Sequence, residues 1–131
     1  PEARFAGQNI FSGCYEEYAS TTALVKNAKR FDSSLSNGRK IFERFDEPDV
    51  KALVDRWILE IVYGLTTIIH ILNPECAILG GGIMEQPYVL EQLREKLYPN
   101  LISSFRQVKI EKAALGNRAG MLGAAVLHER R

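Results

Sequence analysis

Cysteine is scarce in this chain, and its two copies stand far apart. Cys14 and Cys76 share no metal-type or redox-type spacing, and two cysteines make no disulfide framework. A reducing, cytoplasmic setting is therefore expected. An excess of either charge is also missing. Lys and Arg number 17 against 16 Asp and Glu, a net charge of +1. That removes any bulk electrostatic case for nucleic acid or an acidic membrane surface. A membrane helix needs about 20 apolar residues without charge, and Asp55, Arg56 and Glu60 cut the strongest apolar segment short of that. The start, Pro1 to Phe5, lacks the apolar stretch of a secretory signal. It also lacks an initiator Met, so a piece of a longer chain is expected. Internal repeats and low-complexity segments are absent too.

What is present is an ordinary globular composition. The 131 residues suffice for one compact domain, with 46% hydrophobic and 25% charged residues. The most informative stretch runs from Cys76 to Ile83, just after Leu72-Asn73-Pro74-Glu75. An apolar run ends in Gly80, Gly81 and Gly82, and an amphipathic helix pattern follows. This reads as a buried strand whose tip is stripped of side chains. Glycine permits positive φ and close approach of a ligand or another backbone. In open α/β sheets, ligands bind outside the carboxyl ends of strands, close to helix N-termini. The pattern suits a nucleotide or phosphate edge. It equally suits a glycine-rich turn with no ligand.

Periodicity predicts the remaining elements. Residues 1–12 read as loop. One helix is predicted from Cys14 to Lys29, then a polar link over Ser33–Gly38, then a short helix from Arg39 to Phe45 capped by Asn37 or Ser36. Apolar residues from Val50 to Leu72 recur at three- and four-residue steps, which predicts a long buried central helix. Asp49 or Asp46 would cap it and Asn73-Pro74 would stop it. Cys76–Leu79 is a predicted strand. Pro87 suits the first turn of a helix with Leu90, Leu93, Leu97 and Leu101 inward. Val108 and Ile110 alternate with Lys109 and Glu111, a half-buried second strand. A last helix is predicted over Ala119–Glu129. One βαβ unit leaves a sheet too small to bury both faces, which again suggests that further strands lie upstream.

Three segments in register resemble the ROK family (repressors, open reading frames of unknown role, and sugar kinases). Gly13-Cys14-Tyr15-Glu16-Glu17-Tyr18-Ala19-Ser20 is similar to the family's G-C-x-E-x-x-x-S. Asn73 to Gly82 resembles its P-x-x-I-V-L-G-G-G, and Ala114 to Ala125 resembles its L-G-x-x-A-G-L-L-G-A-A. The resemblance covers nearly the whole chain but only the C-terminal part of the family's usual length. It implies an α/β fold: residues 1–131 as an incomplete C-terminal lobe of an actin-like ATPase (ribonuclease H-like) fold, helix-rich with a βαβ unit. It implies a hexose-type substrate, ATP and Mg²⁺. The family's D-x-G-G-T phosphate loop and its catalytic aspartate are not in this chain, so the chain is expected to carry no catalytic residue and to be inactive alone.

The resemblance also assigns roles. Glu16 matches the glutamate that accepts hydrogen bonds from sugar hydroxyls, and a carboxylate can take two hydroxyls at once. A glutamate in the first turn of a helix needs no ligand to be favourable there, so the bland reading stays open. Glu17 is expected to be solvated. Gly80, Gly81 and Gly82 match the glycines that line the nucleotide, through bare backbone and not through a Walker loop, since no Gly-Lys-Ser/Thr follows. Cys14 matches the last cysteine of a C-x-C-G-x-x-G-C zinc loop. Gly7, Asn9 and Ile10 stand at its other positions, so no metal is expected and Cys14 becomes a small buried residue. Gly116, Gly120 and Gly123 read as helix packing, His70 as a satisfied core residue, Trp57 as core, and the charged stretch from Lys26 to Arg44 as surface. The leading expectation is part of an ATP-dependent hexose kinase. The alternative is the effector-binding domain of a sugar-responsive repressor, whose DNA contacts would lie elsewhere. An uncovered sheet edge predicts a homo-oligomer, with no membrane or nucleic-acid partner for this piece.

Overall fold

Ser20 breaks what the spacing predicts as one helix. Its backbone is extended (φ −73°, ψ 157°), and its Oγ accepts the Ala23 N–H at 3.1 Å. The computed structural model describes residues 13–114. It divides into two compact units, Pro1–Gly64 and Leu65–Arg131. In the first, α1 (Glu16–Ala19) is a single turn and α2 (Thr21–Phe31) buries Ala23, Leu24 and Ala28. The physical reason for the break is the serine itself: a hydroxyl that caps the next helix needs a non-helical backbone.

Asn37, one of the two candidate caps, starts α3 (Gly38–Glu43) by accepting the Lys40 N–H at 3.0 Å. The stretch from Lys26 to Arg44 is thus more than a charged surface link. It holds the buried side chains of Ala28, Leu35 and Ile41. Arg44 ties it together. Its guanidinium grips both oxygens of Glu47 at 2.6 and 2.7 Å and reaches Asp32 at 2.6 Å and the Ser34 hydroxyl at 2.9 Å. Helix α4 (Pro48–Leu72) begins two residues before Val50, between the starts that the two candidate caps would give, because Pro48 suits a first-turn position. Asp49 falls inside the first turn and not at the cap. In the first unit α4 buries Val50, Val54, Trp57, Ile58, Ile61 and Val62, at steps of three and four.

The last turns of α4 belong to the second unit and depart from the buried helix predicted. Ile69 is buried, but Ile71 and Leu72 are 74% and 69% exposed. No element among the described residues covers them. Asn73 ends the helix with φ +45°, its N–H bonded to Ile69 O at 2.8 Å. Then β1 (Cys76–Leu79), a 3₁₀ turn (Gly82–Glu85), α5 (Pro87–Asn100), a second 3₁₀ turn (Ser103–Phe105) and β2 (Lys109–Lys112) follow. The strands are parallel, with Cys76 opposite Lys109 and Leu79 opposite Lys112. This is the βαβ unit the pattern predicts.

Inward residues of α5 are Val89, Leu93 and Leu97, followed by Leu101. Leu90 is only half-buried, because the row in steps of four starts at Val89. Two side chains bind α5 to β2 and the residue before it: Tyr98 Oη donates to Val108 O at 3.0 Å and Arg94 Nε to Ile110 O at 3.0 Å. Val108 and Ile110 are buried while Lys109 and Glu111 are exposed, as alternation requires. β1 is not the buried strand expected. Cys76 and Ile78 are exposed and Ala77 and Leu79 half-buried, since a two-stranded ladder has only one face covered among the described residues. The architecture is a helix-rich α/β arrangement with two parallel strands. None of the described helices is long and apolar enough to cross a membrane. The predicted N-terminal loop and the predicted helix Ala119–Glu129 lie outside the described residues, with most of the third motif.

Candidate functional site

Glu16 opens α1 and is exposed. Its carboxylate makes no hydrogen bond to another described residue. It lines an open depression of about 290 Å³ with Cys14, Glu17, Ser20, Thr22, Ala23 and Lys26. A one-turn helix has little dipole, so helix placement contributes less to this carboxylate than the predicted long helix would. Acceptor oxygens with no partner among the described residues, beside a lysine ammonium and two hydroxyls, make a surface suited to a polyhydroxylated ligand. Cys14 is half-buried on the rim of this depression, not the interior residue expected, because a one-turn helix leaves it uncovered. Gly7, Asn9 and Ile10 lie outside the described residues.

Glu17 is exposed but not idle. It accepts the Gly13 N–H at 2.9 Å, reaching back over the start of the turn. Gly13 itself sits at φ +82°, a conformation glycine adopts without strain. The other end of α1 is held by Trp57, whose Nε1–H lies 3.0 Å from both Ala19 O and Ser20 O. Trp57 is core, 4% exposed, and gives a partner to Ala19 O at the break while sharing Ser20 O with the Leu24 N–H of α2. Tyr15 Oη donates to the α4 carbonyls of Glu60 at 3.0 Å and Ile61 at 3.2 Å. Burial first, then the Glu60 carboxylate, raises the Tyr15 phenol above its ordinary 10.0, so it remains a neutral donor at physiological pH.

The three glycines belong to the second unit. Gly80, Gly81 and Gly82 are exposed at the carboxyl end of β1, and Gly81 has φ +107°. A Cβ on Gly81 would meet nothing within 4 Å; one on Gly80 would meet only Ala113 Cβ at 4.0 Å. Ala113 follows the end of β2, and its N–H bonds Leu79 O at 2.9 Å. Both parallel strands therefore finish at a bare rim. Gly81 O accepts the Met84 N–H at 3.0 Å, starting the 3₁₀ turn that buries Ile83 and Met84. His70 is satisfied but half-buried and not the core residue expected: its Nε2 accepts the Ile102 N–H at 3.2 Å, and Phe105 packs edge-on at 4.9 Å.

Sequence reasoning did not single out Tyr15, Gly64 or Lys26. The one signal available was a lone glycine inside an apolar helix pattern, which usually marks a close packing partner.

The sequence pattern of the ROK family matches residues 10–131. An uncharacterized protein of Clostridium perfringens (strain 13 / Type A) is 36% identical over 116 residues, 83% of this chain and 39% of that protein. An N-acetyl-D-glucosamine kinase of Escherichia coli O1:K1 is 30% identical over 118 residues, 88% of this chain and 39% of the kinase. Among solved structures, a ROK hexokinase from Thermus thermophilus matches with a TM-score of 0.74 at 27% identity, over 87% of this chain and 39% of the hexokinase. A ROK family glucokinase from Streptomyces griseus, solved in complex with glucose and AMPPNP, matches with a TM-score of 0.72 at 29% identity, over 88% and 44%. The chain thus spans about two fifths of the length of these relatives.

Proposed function

The chain belongs to the ROK family, and on that premise we propose that it is the C-terminal portion of an ATP-dependent hexose kinase. The intact enzyme transfers a phosphoryl group to a hydroxyl of a glucose-, N-acetylhexosamine- or β-glucoside-type sugar. The observation that carries this reading is structural likeness to a glucokinase solved with a sugar and an ATP analogue. In this reading the two parallel strands are part of the larger sheet of an actin-like ATPase lobe, residues 1–131 being its C-terminal part. The protein is cytoplasmic and assembles with copies of itself.

Glu16 binds and orients the sugar through its carboxylate. The depression beside it supports this role, as does the lack of any competing bond to a described residue. Gly80, Gly81 and Gly82 receive the nucleotide. A positive φ and empty space where a Cβ would stand at Gly81 fit a ribose or phosphate close to backbone. When bound, ATP supplies the phosphoryl group and Mg²⁺ neutralises its charge. Among the described residues no group of three or more His, Cys, Asp or Glu side chains is placed to hold a metal ion. Mg²⁺, the general base and the phosphate loop are assigned to the remainder of the enzyme.

The test is ADP release by the full-length protein, dependent on both ATP and sugar, over a panel of hexoses, N-acetylhexosamines and β-glucosides. No turnover on any of them would remove the kinase reading. Sugar binding without turnover, together with sugar-dependent DNA binding, would replace it with the repressor reading.

A further inference from the structure

A one-turn helix cannot hold a side chain in place by itself. Nucleating a turn fixes several dihedrals for a single hydrogen bond, and four residues never recover that cost. Yet Glu16 sits on such a turn, so its position must be set by tertiary contacts. Three of them converge on α1, and two come from α4. Tyr15 Oη reaches the carbonyls of Glu60 and Ile61 at one end, and Trp57 Nε1 reaches Ala19 O and Ser20 O at the other. The third is the Glu17 carboxylate on Gly13 N–H.

Gly64 explains how the first contact is possible. A Cβ on Gly64 would lie 2.2 Å from Tyr15 Cζ and 2.2 Å from its Oη. No pair of carbons approaches so closely. The phenol tip therefore occupies the very volume that any side chain at 64 would fill. Glycine in a helix interior is costly relative to alanine, and here it makes a notch in α4 for one ring. Tyr15 is the residue immediately before Glu16. A ring that leaves the notch gives up the contacts that anchor the backbone next to the Glu16 carboxylate.

We propose that Gly64 and Tyr15 form a notch-and-ring seat that, with Trp57, positions Glu16 for sugar binding. The proposal rests on the reading of Glu16 as the sugar-binding carboxylate. These are positioning residues, acting through Glu16 and touching no substrate themselves. The seat sets how well the sugar is held, and nucleotide affinity is independent of it.

The test uses the full-length protein, with glucose and N-acetylglucosamine as probes. Gly64→Ala pushes the flexible tip of Tyr15 out of its seat while improving helix propensity, so the protein should remain folded with little change in melting midpoint. The KM for sugar should rise about tenfold, the loss of one hydrogen bond to a charged group. The KM for ATP should not move. Tyr15→Phe keeps the ring and loses its two carbonyl contacts, and should give a smaller rise. In a Tyr15→Leu background, Gly64→Ala should add nothing, because no ring remains to be displaced. If Gly64→Ala fails to fold, the Tyr15→Leu/Gly64→Ala double variant, which lacks the clash, carries the test through its raised KM. An unchanged sugar KM in folded Gly64→Ala overturns the proposal, as does a full additional rise in the Tyr15→Leu background. Glu16→Ala separates the two readings. Unchanged sugar affinity there removes Glu16 from the site, whereas weakened affinity with a neutral Gly64→Ala removes only the seat.

Discussion

The two units are organised by different forces. In the first, order around the candidate sugar residue depends on side chains that reach backbone carbonyls across many residues of sequence: Tyr15 onto Glu60 and Ile61, Trp57 onto Ala19 and Ser20. In the second, the strand–helix–strand unit is built mainly by regular burial, with Val89, Leu93, Leu97 and Leu101 on one helix row and Val108 and Ile110 beneath them. The exposed residues differ too. Among the described residues, the exposed large apolar side chains of the first unit are aromatic: Tyr15, Tyr18, Phe31 and Tyr63. In the second they are aliphatic: Ile68, Ile71, Leu72, Ile78 and Ile102. Three of those four aromatics are tyrosines, whose hydroxyl tolerates water; isoleucine and leucine gain nothing from it. The first unit is thus pinned and the second packed, with an apolar surface still uncovered.

The largest effect should come from breaking the packed unit. Leu93→Ala removes a fully buried side chain and should cost about 2–5 kcal/mol in urea unfolding. A value below 1 kcal/mol would mean that α5 can collapse onto the vacancy and that burial is not what organises this unit. Trp57→Phe tests the pinned unit with little change in burial. It removes the donor to Ala19 O and Ser20 O and should cost about 1–3 kcal/mol. Amide exchange over residues 16–20 should accelerate, and unchanged protection there would show that α1 does not depend on the indole.

The surface difference has its own readout. Taken alone, this chain should self-associate through the second unit, where Ile78 stands 69% exposed on β1. Ile78→Lys should lower the mass seen by light scattering, whereas Tyr18→Lys in the first unit should not. A monomer at high concentration before either change would contradict the contrast.

Acid should produce the smallest effect. Hydrogen bonds from Arg44, then from Ser34, lower Asp32 from an ordinary 3.8 to about 2, and Arg44 lowers Glu47 as well. Because the folded values lie below the unfolded ones, the unfolded state binds more protons as pH falls. The stabilisation is present above pH 4.5, begins to fall through Glu47 below that, and is lost through Asp32 between 3.8 and about 2. The cluster is about one-third exposed, so added salt should weaken it. Arg44→Ala should flatten stability against pH across that window. An acid profile unchanged by Arg44→Ala would locate the sensitivity elsewhere.

Local chemistry made much of this legible beforehand. Pro87 at a helix start, Asn73 at a helix end, Asn37 as a cap and the Val108/Ile110 alternation are short-range signals, and each marks the element it predicts. The break at Ser20 was legible in principle, since serine is a strong cap, but the apolar spacing across it masked the signal. Exposure of β1 and of the end of α4 was not legible. An apolar run shows that a residue prefers burial, not whether a covering element exists. The apolar run drew the three glycines out of the sequence and the resemblance drew out Glu16; the structure adds that all four are exposed.

The sequence by itself determined most of the described secondary elements, their parallel pairing and the bare glycine rim, because caps, proline, glycine and periodicity act over a few residues. Only the tertiary structure decided what holds Glu16. The phenol of Tyr15 and the vacancy at Gly64 lie 49 positions apart in the chain. Nothing local to either residue announces that one will fill the space the other leaves empty.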